Sequence, residues 1–358
     1  DGDLPLEGGC PDWLLPNAEG AGYYRWSLGA ADLDKLRKAG FSKLSPREKL
    51  SFVDSLRAGF ESGTLSADRV LAVSPLLAAD ADRAVATAPM EMLRFTREYL
   101  LDAAARPALD RFARGLYEPL LRKLGWKERA GEDGDTRILR ADVVWFLAQG
   151  LRDPETRKTA AQLGRRYLDE LGLAEKGKAA QPSLAVDLRS VAAQVALQDG
   201  NQALFDAVYQ RLRETKDPTE RDRLLWALSS VTDQRSERAL ALALDPALHV
   251  NEVFTPLRAQ FGDERTRDAA WRFLEQRFDA LVERVSKLHA GNAPGLTVQF
   301  CSAQMAERVQ AFFAPRIEQL AGGPRSLDSA TEGLRLCGAQ ADMQRASAAA
   351  FFAPAKKK

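Results

Sequence analysis

Histidine and cysteine are nearly missing from this chain. Its 358 residues hold two histidines, His249 and His289, and three cysteines, Cys10, Cys301 and Cys337. Two imidazoles so far apart in sequence cannot supply a His-Glu-x-x-His pair, in which the ligands sit one helical turn apart on a metal ion. They also leave too few bases for a serine-type or cysteine-type triad. No Gly-rich loop leads from a strand into a helix, so Rossmann and P-loop routes to a nucleotide are not supported. No run approaches the roughly 20 apolar residues of a membrane span, and Asp1-Gly2-Asp3 is not the charged-then-apolar opening of a signal peptide.

A surplus of charge is absent too. Lys plus Arg is 51 against 50 for Asp plus Glu, so no net field draws the chain to nucleic acid or to an anionic membrane. The composition, 45% hydrophobic and 28% charged, is that of a folded chain with a sizeable core. Lys356-Lys357-Lys358 follows Pro354 and reads as a frayed tail rather than a recruitment signal. The abrupt opening at Asp1 reads as the start of a segment taken from a longer chain.

Residues 1–29 differ from the rest. Gly8-Gly9 and Pro11 break the backbone, and Trp13-Leu14-Leu15 and Tyr23-Tyr24-Arg25-Trp26 are strand-prone runs separated by Pro16-Asn17-Ala18-Glu19-Gly20. A β hairpin is expected here. One hairpin buries too little to stand alone, so it must pack on the next domain or complete a sheet upstream.

From Ala30 to Lys358 the pattern is helical. Ser45-Pro46-Arg47-Glu48 is a capping box with proline at the first helical position, followed by Leu50, Val53, Leu56 and Phe60 at helical spacing. Ser66 opens another helix, with Val70, Leu71 and Val73 on its apolar side. Asp153-Pro154, Asp217-Pro218 and Asp245-Pro246 each place an N-capping carboxylate before a proline, which predicts three further helix starts. Turns are expected at Asp199-Gly200-Asn201, Thr232-Asp233 and Gly262-Asp263, and polar insertions at 131–135 and 176–182. One apolar stripe per helix, such as Trp271, Leu274, Phe278, Leu281 and Val285, with short turns between, predicts antiparallel pairs. The expected fold is all-α: an irregular HEAT-like helical-repeat superhelix, a bowl-shaped α-solenoid, behind a short N-terminal β remnant.

The order of motifs resembles the C-terminal half of the aminopeptidase N family of zinc metallopeptidases, which includes the endoplasmic-reticulum aminopeptidases. The resemblance runs through Trp13-Leu14-Leu15-Pro16-Asn17 with Gly22-Tyr23-Tyr24-Arg25, which look like the family's strand pair and imply that 1–29 is the tail of a small β-sandwich. It continues at Asp199-Gly200-Asn201, Thr215-Lys216-Asp217-Pro218 and Leu224-Leu225-Trp226-Ala227-Leu228, then at Ala269-Ala270-Trp271-Arg272-Phe273-Leu274 and Val309-Gln310-Ala311-Phe312-Phe313. It implies a domain that encloses the peptide-binding cavity and controls access to it, with an upstream catalytic domain and a peptide as partners. The zinc, the general base and the transition-state tyrosine belong to that missing domain, so no catalytic, cofactor or metal residue is carried onto this chain. The alternative is a free-standing helical-repeat adaptor for a protein or peptide partner.

Three constellations remain. His249 and Glu252 share a helical spacing, but two ligands do not make a metal site, and capping and solvation account for Asp245 and Glu252. In Tyr23-Tyr24-Arg25, an aromatic and a guanidinium on a binding surface is one reading, since arginine takes a carboxylate in a bidentate fork, and strand alternation gives the other, with at least one tyrosine packed on the helical domain. Cys301 precedes one helix and Cys337 ends another of similar length. A turn at Gly322-Gly323-Pro324 folds them antiparallel, so a Cys301–Cys337 disulfide is one reading and two buried thiols in a reducing cytosol the other. The bridge leans toward a periplasmic or secreted setting, and Cys10 is left over.

Overall fold

The computed structural model describes residues 10–172 and 183–353; the loop expected at 176–182, the first nine residues and the lysine tail lie outside them. The described residues form helices and no strand, the all-α class expected. They divide into two compact units, Asp1–Tyr117 with Asp342–Lys358, and Glu118–Ala341.

In the first unit the helices are α1 (Ala30–Lys35), α2 (Pro46–Ser62), α3 (Ala67–Ala78), α4 (Arg83–Phe95) and the first part of α5 (Arg106–Leu124). The capping box opens α2: the Ser45 hydroxyl accepts from the Glu48 N–H and Glu48 accepts from the Ser45 N–H at 2.8 Å. The buried face of α2 is Phe52, Leu56 and Phe60, with Ser55 and Gly59, whereas Leu50 is 40% exposed. The expected stripe is therefore rotated by part of a turn. Gln344 is almost fully buried and ties the α2–α3 corner, donating to Phe60 O and Leu65 O at 2.8 Å and accepting from the Ala67 N–H at 2.7 Å.

The hairpin expected over 1–29 takes no strand form among the described residues 10–29. The reason is where its polar groups go. The buried Asn17 amide closes a loop on Gly22 through bonds of 2.8 and 2.9 Å and reaches Ser51, so one side chain replaces the first rungs of a ladder. Further on, the Trp26 indole N–H and backbone N–H donate to Ser51 and Ser55 of α2. Without strand alternation, the expected packing of a tyrosine also fails. Tyr23 is fully exposed, Tyr24 is half-exposed with its hydroxyl on Pro16 O at 2.6 Å, and Arg25 pairs with Asp54 at 3.3 Å.

In the second unit the helices are α6 (Gly134–Trp145), α7 (Pro154–Gly172), α8 (Arg189–Gln198), α9 (Gln202–Glu214), α10 (Pro218–Ser229), α11 (Ser236–Ala241), α12 (Thr255–Phe261), α13 (Arg267–Ala290), α14 (Ala303–Ile317) and α15 (Gly323–Phe352), whose last turns belong to the first unit. The expected turns at 199–201, 232–233 and 262–263 are present. So are the helix starts at Asp153 and Asp217, whose carboxylates accept from the Thr156, Thr219 and Glu220 N–H groups. The third start is not. Asp245 ends a 3-10 turn, its side chain accepts from the Ala247 N–H and the Tyr209 hydroxyl, and the next α-helix begins at Thr255-Pro256. The polar stretch at 131–135 is more than an insertion, since Asp133 caps α6 and Glu132 pairs with buried Arg140.

Buried arginines join the helices of this unit. Arg157, four residues after capping Asp153, donates to Ala148 O and to Gln198 at 3.0 Å. Arg221, four after Asp217, donates to Leu212 O at 2.8 Å, to Ala247 O and to Glu252. Arg267, four after Asp263, donates to Phe261 O at 2.8 Å. Each reaches the C-terminal carbonyls of the preceding helix, which otherwise lack partners. The Gln198 amide passes the link to Ser230 O at 3.0 Å, and Gln260 holds Ser229 O and Val231 O.

Gly164 sits where α7 crosses α8, and a Cβ there would lie 2.0 Å from Ala192 O. Gly164→Ala must push the pair apart and is expected to cost about 1–3 kcal/mol, read by urea unfolding. A second expectation concerns Glu252. Burial pushes its carboxyl up, but hydrogen bonds from Arg221 and the His249 N–H, with the Arg221 charge, hold it below the usual carboxylate range. A depressed folded-state pKa adds stability above the unfolded value of about 4.3 and loses it as pH falls through the folded one. The stability gap between wild type and Glu252→Gln should therefore close progressively below about pH 4 in unfolding curves taken across pH.

Candidate functional site

A cleft of the second unit lies between α12 and the 3-10 segment Ala293–Phe300 that follows α13. It has a volume of about 320 Å3 and is lined by Phe254, Arg258, Phe261, Gly262, Asn292, Gly295, Leu296 and Gln299. The floor is apolar, since Phe254, Phe261 and Leu296 are all buried. Arg258 is exposed, and no acceptor among the described residues takes its guanidinium. An apolar floor beside an unpaired fork of N–H donors is suited to a ligand with a hydrophobic body and a carboxylate.

Local chemistry fixes the walls. Gly262 closes α12 by donating to Arg258 O at 3.0 Å, and Arg267 holds Phe261 O while lying 5.8 Å over the Phe300 ring. The opposite wall ends at Cys301, in the left-handed region at φ 50°, after which Ser302 caps α14. The Cys301 and Cys337 sulfurs are joined, with Cα atoms 4.9 Å apart. Cys337 does not end a short helix as expected. It lies inside α15, which runs for 30 residues, and the crossing brings Gly338 against the first turn of α14. Cys10 is exposed and free.

In the first unit a groove of about 630 Å3 is lined by Tyr23, Tyr24, Arg25, Arg47, Leu50 and Asp54, among others. The Tyr-Tyr-Arg run therefore lines an open surface rather than a core.

The described residues do not fit a zinc ion. His249 Nδ1 lies 3.7 Å from Glu252, but that carboxylate is held by Arg221 and by the His249 N–H at 2.7 Å. His289 faces Val285 O within its own helix, and among the described residues no three His, Cys, Asp or Glu side chains converge. Nor is any described helix long and apolar enough to cross a membrane.

Sequence reasoning passed over Arg258. Its only signal is a cation on a helix otherwise buried at Thr255, Pro256, Leu257, Gln260 and Phe261.

The described residues form an all-α, solenoid-like domain that carries a ligand-sized cleft. Residues 13–336 match the pattern of the ERAP1-like C-terminal domain, and the chain belongs to that family. It is similar to glutamyl aminopeptidase of Mus musculus, 24% identical over 84% of this chain and 32% of that protein. It is also similar to aminopeptidase M1-A of Oryza sativa, 23% identical over 94% of this chain and 38% of that protein, and to aminopeptidase 2 of Candida albicans, 21% identical over 85% and 33%. The chain thus spans about a third of the length of these relatives.

The disulfide closes a 36-residue separation, which in the chain-entropy account stabilises by about 3–4 kcal/mol. Alkylation of the unfolded, unreduced protein should label one thiol, Cys10, and all three cysteines after reduction. Three labels before reduction would show two buried thiols instead.

Proposed function

We propose that this chain is the C-terminal domain of a zinc aminopeptidase, enclosing the peptide and controlling its access to a catalytic domain carried elsewhere in the same polypeptide. The observation that carries the reading is the family match over residues 13–336, joined to relatives that are aminopeptidases. The cleft supports it: a peptide segment lays an apolar side chain on Phe254, Phe261 and Leu296 and a carboxylate on Arg258. In this division of labour the helical domain excludes water and positions substrate, while the metal chemistry stays with the other domain. No specific observation favours a free-standing adaptor.

The test has two arms. The purified chain with added zinc should not hydrolyse aminoacyl reporter substrates, and metal-dependent turnover by it would overturn the reading. In the full-length enzyme, Arg258→Ala should raise KM for acidic peptides about tenfold with little change in kcat, as loss of one charge-assisted contact of about 1.5 kcal/mol implies. An unchanged KM would remove the cleft from the proposal.

A further inference from the structure

One wall of the Arg258 cleft is fastened at its two ends. It is the 3-10 segment Ala293–Phe300, in which the Gly295 N–H donates to Asn292 O at 3.1 Å and the Thr297 hydroxyl to Pro294 O at 2.8 Å. Such local bonds make a weak element, and its place against α12 is set from outside. At its start, Gly291 abuts the turn between α14 and α15, where a Cβ would lie 2.1 Å from Ala321 O. At its end, Phe300 stands edge-on to Phe261 of α12 with ring centroids 6.1 Å apart, and Arg267 lies over the Phe300 ring.

The residue after Phe300 is Cys301. Its bond to Cys337 ties the wall to α15, and a Cβ on the neighbouring Gly338 would lie 3.5 Å from Cys301 O and 3.3 Å from the Ala303 nitrogen of α14. Both ends of the wall therefore rest on the α14–α15 pair, one through packing and one through a covalent bond. Cys301 also sits in the left-handed region at φ 50°, which a residue other than glycine keeps only when its surroundings fix it. Freed from Cys337, it can relax, and Phe300 beside it turns with it.

We infer that the Cys301–Cys337 bridge is a redox latch on the Arg258 cleft. Bridged, Cys301 holds Phe300 on Phe261 and the cleft takes its ligand; reduced, the wall loosens and the ligand is held more weakly. The inference rests on the cleft assigned under the proposed function and adds its regulation. The reductant is a dithiol. One of its thiolates attacks a bridge sulfur, the S–S bond breaks, and the other cysteine leaves as a thiolate that takes up a proton; the second thiol of the reductant then displaces the first cysteine from the mixed disulfide. Two electrons and two protons pass to the protein, and the dithiol ends as a cyclic disulfide. Cys337 is half-buried and gives the way in, whereas Cys301 is buried. By reciprocity, a ligand that prefers the bridged form protects the bridge.

The test uses the chain with Cys10→Ser, so that reductant acts at the bridge alone. N-acetyl-phenylalanine, an apolar body with a carboxylate, is titrated while the Gly262 and Gly295 amide resonances are followed, before and after dithiothreitol, with circular dichroism to check that the helices persist. Reduction should weaken binding about tenfold, within the usual range of coupling between sites. Cys301→Ser with Cys337→Ser should bind as the reduced chain does and ignore dithiothreitol. A further measurement needs no stable reduced form: the rate at which dithiothreitol reduces the native chain should fall as the probe fills the cleft. Equal affinity in both redox states, or a reduction rate indifferent to the probe, would overturn the latch and leave the cleft standing. Absence of saturable binding to the oxidised chain would overturn both.

Discussion

Helix C-termini are the constraint on which the second unit depends. Every helix leaves carbonyls without partners at its end, and short turns bury them against the next pair. Here Arg140, Arg157, Arg221, Arg235 and Arg267 are buried and donate to such carbonyls: Leu124 O and Gly125 O, Ala148 O, Leu212 O, Gln198 O and Phe261 O. A buried charge is costly unless paired and hydrogen-bonded, and a guanidinium has five N–H groups to spread over several turns at once. The negative end of the helix dipole favours the same placement. Lysine could not substitute, because a single ammonium cannot reach carbonyls of two helices in one plane.

The spacing of this device is readable in the sequence, although its meaning is not. Asp153, Asp217 and Asp263 each precede an arginine by four residues; the first two are legible as helix starts because an N-cap acts on its own next turn, and Gly262-Asp263 is legible as a turn. The arginines act on the preceding helix and on neighbours some thirty or forty residues away, as Arg157 does on Gln198, so propensity says nothing of them. Asp245-Pro246 shows the reverse failure. It has the local signature, but the carboxylate is drawn to Ala247 and Tyr209 and no helix follows.

Other departures have similar causes. Alternation in Tyr23-Tyr24-Arg25-Trp26 reads as a strand, yet a ladder needs a partner, and the Asn17, Ser51 and Ser55 side chains take the groups that would have paired. The buried face of α2 is misjudged by one position because Gly59 and Ser55, not large residues, lie against its neighbours. The antiparallel relation of α14 and α15 is legible from Gly322-Gly323-Pro324, whereas the length of α15 is not, since an Ala-rich and polar stretch beyond Cys337 has no stop signal before Pro354.

Arg152, Arg157 and Arg258 make the general point sharpest, because each stands near a helix end and nothing in the sequence separates their roles. Their chemistry is settled by which carbonyls the turns bring within reach. Arg157 faces the end of α6 and is spent on it, whereas Arg152 points from a left-handed turn and meets none, and Arg258 stands over an apolar cleft floor. A scaffold that solves its packing with guanidinium groups therefore makes the unspent ones informative. A buried arginine held by backbone oxygens is closed to solutes, whereas an exposed arginine with neither a carbonyl nor a carboxylate in reach is open to an oxygen from a ligand.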